Sequence, residues 1–382
     1  MKPAPRSPED AVAEQNNSEY SIVTSLQAEK RNLKLLYLRL TDSAPLIVAR
    51  ELGYFKRYGL NVELQRETSW ATLRDKLIGG AADAAAMLAP MPLTVKQTLP
   101  HCEEALLTGL ILSCNGNAIT LSEKLVQQLN VPRGSTNGDL LGTALKTHIE
   151  HRKGKPSLKF ASVYPFASHT LQLRHWLASA GISPDTDVQL LVLPPEQMVD
   201  HLRRGDIDGY CVGEPWNTLA VQKGIGVIAT PCNRLMPAMP EKVLAVTASW
   251  HEQNPATHLA LRAALLEACS WLNDGAQRRD AVGLLGRENY LNLPRETLTP
   301  SLDDRLSIRP GSPPTTNPGW HLFSNFQSDH GRPTEKKARE LLSLCNEIAS
   351  INEEEAQVFR ADLYQQTLDF LRNLNSHNTR TV

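Results

Sequence analysis

One ten-residue pattern is written twice in this chain. Asp75-Lys76-Leu77-Ile78-Gly79-Gly80-Ala81-Ala82-Asp83-Ala84 returns as Asp200-His201-Leu202-Arg203-Arg204-Gly205-Asp206-Ile207-Asp208-Gly209, both D-x-L-x-x-G-x-x-D-[A/G]. Each copy reads as an amphipathic helix that stops at glycine and passes at once into an apolar run, Ala84 to Leu88 in the first and Tyr210 to Val212 in the second. Strand-like stretches, Asn61 to Leu64 and Asp187 to Leu190, precede the two helices by a similar interval. A duplicated helix-to-strand step of a βαβ unit predicts two similar α/β lobes with a cleft between them, and such a cleft is where a small ligand binds.

With 382 residues, 41% of them hydrophobic, the chain has enough length and apolar material for two or three domains. A net charge of −1 gives no electrostatic footprint for direct nucleic-acid binding or for an anionic membrane surface. The basic stretch His148 to Lys155 is too short to change that. Six cysteines are scattered without a C-x-x-C pair, which predicts free, buried thiols in a reducing compartment. Residues 1–32 are rich in Glu, Ser, Asn, Pro and Ala, with no apolar signal core, twin arginine or lipobox cysteine. They read as a disordered leader, which predicts a cytoplasmic location.

The expected organisation is a first segment of lobe 1 over 33–120, lobe 2 over 121–226, and a return to lobe 1 with a C-terminal helical segment over 227–382. Asp42 and Ser43 are candidate caps for a helix over 44–58, and Ser69 for the first repeat helix. Residues 133–155 read as a helix and linker between lobes, 293–320 as Pro-rich and irregular, and 334–375 as mostly charged helix.

Six stretches in order carry a family resemblance: Thr41 to Leu46 (TDSAPL), Glu67 to Ala71 (ETSWA), Met87 to Pro92 (MLAPMP), Asn115 to Thr120 (NGNAIT), Gly213 to Asn217 (GEPWN) and Pro240 to Leu244 (PEKVL). From about Leu33 to Trp320 the chain resembles the nitrate and bicarbonate substrate-binding proteins of ABC transporters. The resemblance implies a type II periplasmic-binding-protein fold, two α/β lobes with a ligand cleft between them. Without an export signal it points to the cytoplasmic nitrate and nitrite sensors of that family. Those control nitrate assimilation by ligand-dependent release of an RNA-binding antiterminator, an ANTAR-type response regulator. The alternative within the family is the substrate-binding component of a nitrate ABC transporter.

Trp70, Asn117, His169 and Lys242 are the ligand-binding residues that the resemblance implies, with Asn115, Glu214 and Trp216 in supporting positions. Their chemistry suits nitrate, a small planar anion that only accepts hydrogen bonds and therefore needs donors and a balancing charge. Trp70 offers an indole N–H, and Asn117 an amide where the nitrate transporters usually carry glutamine. His169 begins a helix, where free N–H groups favour anions, and Lys242 is the expected charge partner. Plainer roles suit the same residue types: a core tryptophan, an Asn-Gly turn, an exposed first-turn histidine, a lysine reaching solvent. The family's bicarbonate binders place a carboxylate nearby to hold a metal, so lysine here favours nitrate or nitrite. Glu214 is expected to orient donors or brace a hinge, since a carboxylate against an anion would cost binding energy.

Nucleophile-elbow, zinc-protease, P-loop and dinucleotide-binding signatures are all missing from the sequence, so no enzymatic activity, cofactor or metal is expected. A thiamine-pyrimidine synthase shares the broad fold and is the enzyme alternative, but it requires a cysteine cluster that the sequence lacks.

Overall fold

The structure, a computed structural model, describes residues 26–132, 137–152 and 154–378. Its strands are β1 (Asn32–Leu38), β2 (Asn61–Glu67), β3 (Ala84–Leu88), β4 (Leu106–Asn115), β5 (Asn117–Ser122), β6 (Leu158–Ser162), β7 (Val188–Val192), β8 (Gly209–Gly213), β9 (Gly226–Pro231), β10 (Pro240–Thr247), β11 (Arg305–Leu306), β12 (Thr315–Thr316) and β13 (His321–Phe323). Among the described residues they build a six-stranded sheet, β13-β4-β10-β3-β1-β2, a five-stranded sheet, β7-β6-β8-β5-β9, and the small pair β11-β12.

The duplicated pattern occupies the same place in both lobes. β1 runs parallel to β2 and β3, and β6 runs parallel to β7 and β8. The repeat helices are Trp70–Ile78 and Met198–Arg204, and the repeat glycines Gly80 and Gly205 both take left-handed backbone, φ 72° and 76°. The second aspartate of each copy does the same work. Asp83 Oδ2 accepts from the Lys34 N–H at 2.8 Å, and Asp208 Oδ2 accepts from the Lys159 N–H at 2.8 Å. Each carboxylate thereby ties the start of β3 or β8 to its parallel neighbour. Leu77 and Leu202 face one apolar cluster that runs from lobe 1 into lobe 2, through Trp70, Met87, Tyr164, Met198 and Trp216. β3 and β8, each parallel to one neighbour and antiparallel to the other, are buried along their whole length, as central strands covered on both faces must be.

Several boundaries differ from the sequence expectation. β5 belongs to the lobe 2 sheet, so the chain crosses at Gly116, before the expected 120/121 boundary. β9 is also a lobe 2 strand, so the return falls between Pro231 and Pro240 and not at 227. The helix Gly138–Glu150 packs within lobe 2 against Trp176 and β9, and is not an interlobe linker. Residues 1–25 of the expected leader lie outside the described residues. Its last part is built in: Glu29 accepts from the N–H groups of Ala256 and Thr257, and Lys30 pairs with Asp83. The helix expected over 44–58 breaks at Gly53 (φ 78°) into Ala44–Glu51 and Tyr54–Arg57. The Pro-rich stretch contains a helix, Arg295–Leu302, and then reaches over to lobe 2. There Leu306, Ile308 and Trp320 pack on Ala118, Val221 and Ile228, and the Ile228 N–H donates to the Ile308 carbonyl at 2.9 Å. All six cysteines are free thiols.

Candidate functional site

β4 and β10 meet at an irregularity that decides what faces the cleft. Pro240 pairs with Cys114 and Lys242 with Ser113, so two steps along β10 match one along β4, and Glu241 is the extra residue of a β-bulge. In a regular strand neighbouring side chains point to opposite faces. At the bulge, the Glu241 and Lys242 side chains meet each other, Glu241 reaches Asn117 and Ser168 of lobe 2, and both residues are about 1% exposed.

Around them the structure brings together all four ligand-binding residues expected from the sequence, together with several that were missed. The Lys242 Nζ lies 2.6 Å from Glu241 Oε1 and 2.8 Å from Asp42 Oδ2, and 5.0 Å from the centre of the Trp70 ring, whose face suits a cation. Asn117 Nδ2 donates to Glu241 Oε2 at 2.6 Å and to Gln172 Oε1 at 3.0 Å. The Ser168 hydroxyl donates to Glu241 Oε2, and His169 Nε2 stands 3.6 Å from Glu241 Oε1, beyond hydrogen-bond reach. Ser168 and His169 open the helix Ser168–Ser179 of lobe 2, and His169 is fully buried rather than an exposed first-turn residue. Gly213 forms part of the wall: a Cβ there would stand 3.4 Å from Asn117 Oδ1 and 3.7 Å from Asp42 Oδ2.

Electrostatically the cluster is a buried triad of one ammonium and two carboxylates. Burial alone would raise the Glu241 carboxyl, but Lys242, His169 and the Ser168 hydroxyl bring it down to about 2. Burial raises Asp42, the second carboxylate on the same ammonium, despite the attraction of Lys242. Lys242 is raised against its own desolvation by Asp42 and Glu241, so it stays charged. His169 is pushed down to about 4 by burial, with Lys242 adding to the effect and Glu241 opposing it, and is neutral at ordinary pH. Several buried polar atoms here have no partner within the protein: Trp70 Nε1, both ring nitrogens of His169 and Asn117 Oδ1. Unpaired buried donors are costly, and this grouping suits a small acceptor-rich molecule.

The three supporting residues sit elsewhere. Asn115 (φ 65°) donates to the Gly319 carbonyl at 2.8 Å, joining the crossover to the C-terminal segment rather than backing Asn117. The Glu214 carbonyl accepts from the Thr41 N–H at 2.9 Å across the lobes, while its carboxyl, raised to about 7 by burial, accepts from the Thr218 N–H at 3.2 Å. Trp216 packs at the lobe boundary under the Arg39 guanidinium, 5.4 Å from its ring centre. Asp42, a candidate helix cap from sequence, pairs with Lys242 instead, and Ser43 donates its hydroxyl to the Leu40 carbonyl. Asp42 and Glu241 lie within the stretches quoted for the family resemblance and Ser168 adjoins His169, but a carboxylate is not what an anion site is expected to hold. Lysine and carboxylate occur here together, so the lysine criterion does not separate nitrate from bicarbonate. Among the described residues no group of three or more His, Cys, Asp or Glu side chains is placed to hold a metal ion.

A buried donor cluster between two sheet-containing lobes, at the carboxyl ends of parallel strands, defines a two-lobed α/β protein of the type II periplasmic-binding-protein fold. Residues 26–286 match the model of the NMT1-like family, and the chain belongs to that family. It is 40% identical over 280 residues to the nitrate import ATP-binding protein NrtC of Synechocystis sp. strain PCC 6803, covering 71% of this chain and 39% of that one. With the bicarbonate transport ATP-binding protein CmpC of Synechococcus elongatus strain PCC 7942 it shares 39% identity over 289 residues, 73% of this chain and 41% of the relative. The chain thus spans about two fifths of the length of these relatives. The crystal structure of the periplasmic nitrate-binding protein NrtA from Synechocystis PCC 6803 superposes with a TM-score of 0.82 at 26% identity, covering 90% of each chain.

Proposed function

We propose that this chain is a substrate-binding protein for a small planar oxyanion, nitrate or nitrite, captured between the lobes. The observation that carries the reading is the buried cluster of Lys242, Asn117, Ser168, His169 and Trp70, whose donors converge from both lobes and several of which have no partner in the protein. Relatives named for nitrate support it. Those relatives are named as transport components, so the role of a binding component in ABC transport stands ahead of the cytoplasmic sensor that releases an antiterminator, which rests on the sequence resemblance alone. No helix among the described residues is long and apolar enough to cross a membrane.

Bicarbonate is the second ligand reading. The carboxylates of Asp42 and Glu241 beside Lys242 favour it, as do relatives named for bicarbonate. Isothermal titration with nitrate, nitrite and bicarbonate tests both: a single saturable site for nitrate or nitrite is expected, and heat from bicarbonate alone would overturn the ligand assignment. Co-purification with an ANTAR-type regulator, with and without nitrate, tests the sensor role. A complex that nitrate dissociates would move that role to first place.

A further inference from the structure

Three of the donors assigned to an external anion, those of Asn117, Ser168 and Lys242, are already engaged by one residue of the chain. Glu241 Oε2 accepts from Asn117 Nδ2 and the Ser168 hydroxyl, and Oε1 accepts from Lys242 and faces His169. Asn117, Ser168 and His169 belong to lobe 2 and Glu241 to lobe 1, so these contacts also join the lobes. A carboxylate presents the same planar pair of acceptor oxygens as an edge of nitrate, nitrite or bicarbonate. The bulge at Glu241 is what puts that edge there.

Charge points the same way. Lys242 is the cation of the cluster, the Glu241 carboxylate already balances it, His169 is neutral, and Asp42, raised by burial, shares the same ammonium. A monoanion added alone would find that ammonium already balanced by Glu241, in a buried setting where uncompensated charge is costly. The other titratable groups facing Glu241 supply nothing to balance it. Burial raises the Cys114 and Cys211 thiols, and it pushes His321 down to about 3, so all three are neutral.

We propose that Glu241 is a built-in competitor of the ligand: the anion enters in exchange for the contacts of the Glu241 carboxylate, and one proton enters with it and neutralises that carboxyl. The inference rests on the anion-binding reading. The proton goes to a Glu241 oxygen, converting an acceptor into a donor toward the anion, and the net charge of the cluster does not change.

Titration calorimetry of nitrate into the full chain, in buffer pairs of different ionisation heat between pH 6 and 8.5, counts the protons directly. The expected result is about one proton taken up per nitrate, with affinity falling about tenfold per pH unit. Glu241→Gln should bind nitrate more tightly than the natural protein at pH 8, without proton uptake and with little pH dependence. Binding by the natural protein without protons overturns the proposal, as does weaker binding by a folded Glu241→Gln. Undiminished proton uptake in that variant also overturns it, by placing the proton on Asp42 or His169. Should the variant not fold, the proton count of the natural protein decides alone. Failure of both proteins to bind nitrate, nitrite or bicarbonate at any of these pH values would instead sink the anion-binding reading, and this proposal with it.

Discussion

Lys242→Met is the most informative single change, because the ammonium holds two buried carboxylates at once, at 2.6 and 2.8 Å. Glu241 lies at about 2 against an ordinary 4.5, a difference worth about 3 kcal/mol of folded-state stability near neutral pH. Breaking a buried pair by removing one partner costs about 3–5 kcal/mol in general, so the two routes agree. The sign follows from the direction of each shift. In the natural protein the depressed Glu241 contributes stability that is present above pH 4.5 and lost only as pH falls through about 2. The raised Lys242 contributes stability lost only above its ordinary 10.5. In the variant the carboxylates of Asp42 and Glu241 face each other without a cation, both rise above their ordinary values, and stability then falls as pH increases. Urea unfolding at pH 5 and pH 8 should therefore show a loss of about 3–5 kcal/mol at pH 8 and a clearly smaller one at pH 5. A loss below about 1 kcal/mol, or the same loss at both pH values, would refute the triad as described.

Gly213→Ala places a methyl group against Asn117 and Asp42 at ordinary contact distance, so nitrate affinity should fall by titration while the melting temperature barely moves. Trp70→Phe keeps a ring face under Lys242 and loses the unpaired indole N–H, which should weaken nitrate binding by about 1 kcal/mol. Glu214→Gln should stabilise the fold at pH 8 by up to about 3 kcal/mol and much less at pH 5. The reason is that a carboxyl raised to about 7 lowers stability as pH climbs from 4.5 through that value; equal unfolding curves at pH 8 would contradict its burial as an acid.

Legibility followed periodicity. The strands and helices of the two βαβ units were readable because Gly80 and Gly205 end a 3.6-residue pattern and β3 and β8 begin unbroken apolar runs. The crossover at Gly116 was not, because β4 and β5 are both buried throughout and nothing in their composition marks a change of sheet. Trp70, Asn117, His169 and Lys242 came from the resemblance, and the structure groups them. Glu241 was missed for a geometric reason: alternation along β10 allows only one of two adjacent residues to face the cleft, and a bulge is invisible to alternation. Asp42 was read as a cap because a polar residue before a helix usually is one, and tertiary pairing with Lys242 prevailed over that local role.

The duplicated pattern builds the lobes, yet the proposed binding groups lie outside it and are divided unequally. Asp42 follows β1 and His169 follows β6, equivalent positions that carry a carboxyl group in lobe 1 and a neutral ring in lobe 2. Glu241 and Lys242 also belong to lobe 1, whereas lobe 2 gives Asn117, Ser168 and His169. Separating the lobes would therefore leave Lys242 with the Asp42 and Glu241 carboxyl groups on one side and neutral donors on the other. Neither half alone suits an anion: the first already balances its ammonium with Glu241, and the second offers hydrogen bonds that water matches. Affinity is then a property of the closed arrangement, in which lobe 2 donors and the Lys242 charge act on the same acceptor. Any ligand that binds there must favour closure by the amount of its differential contact with the two arrangements.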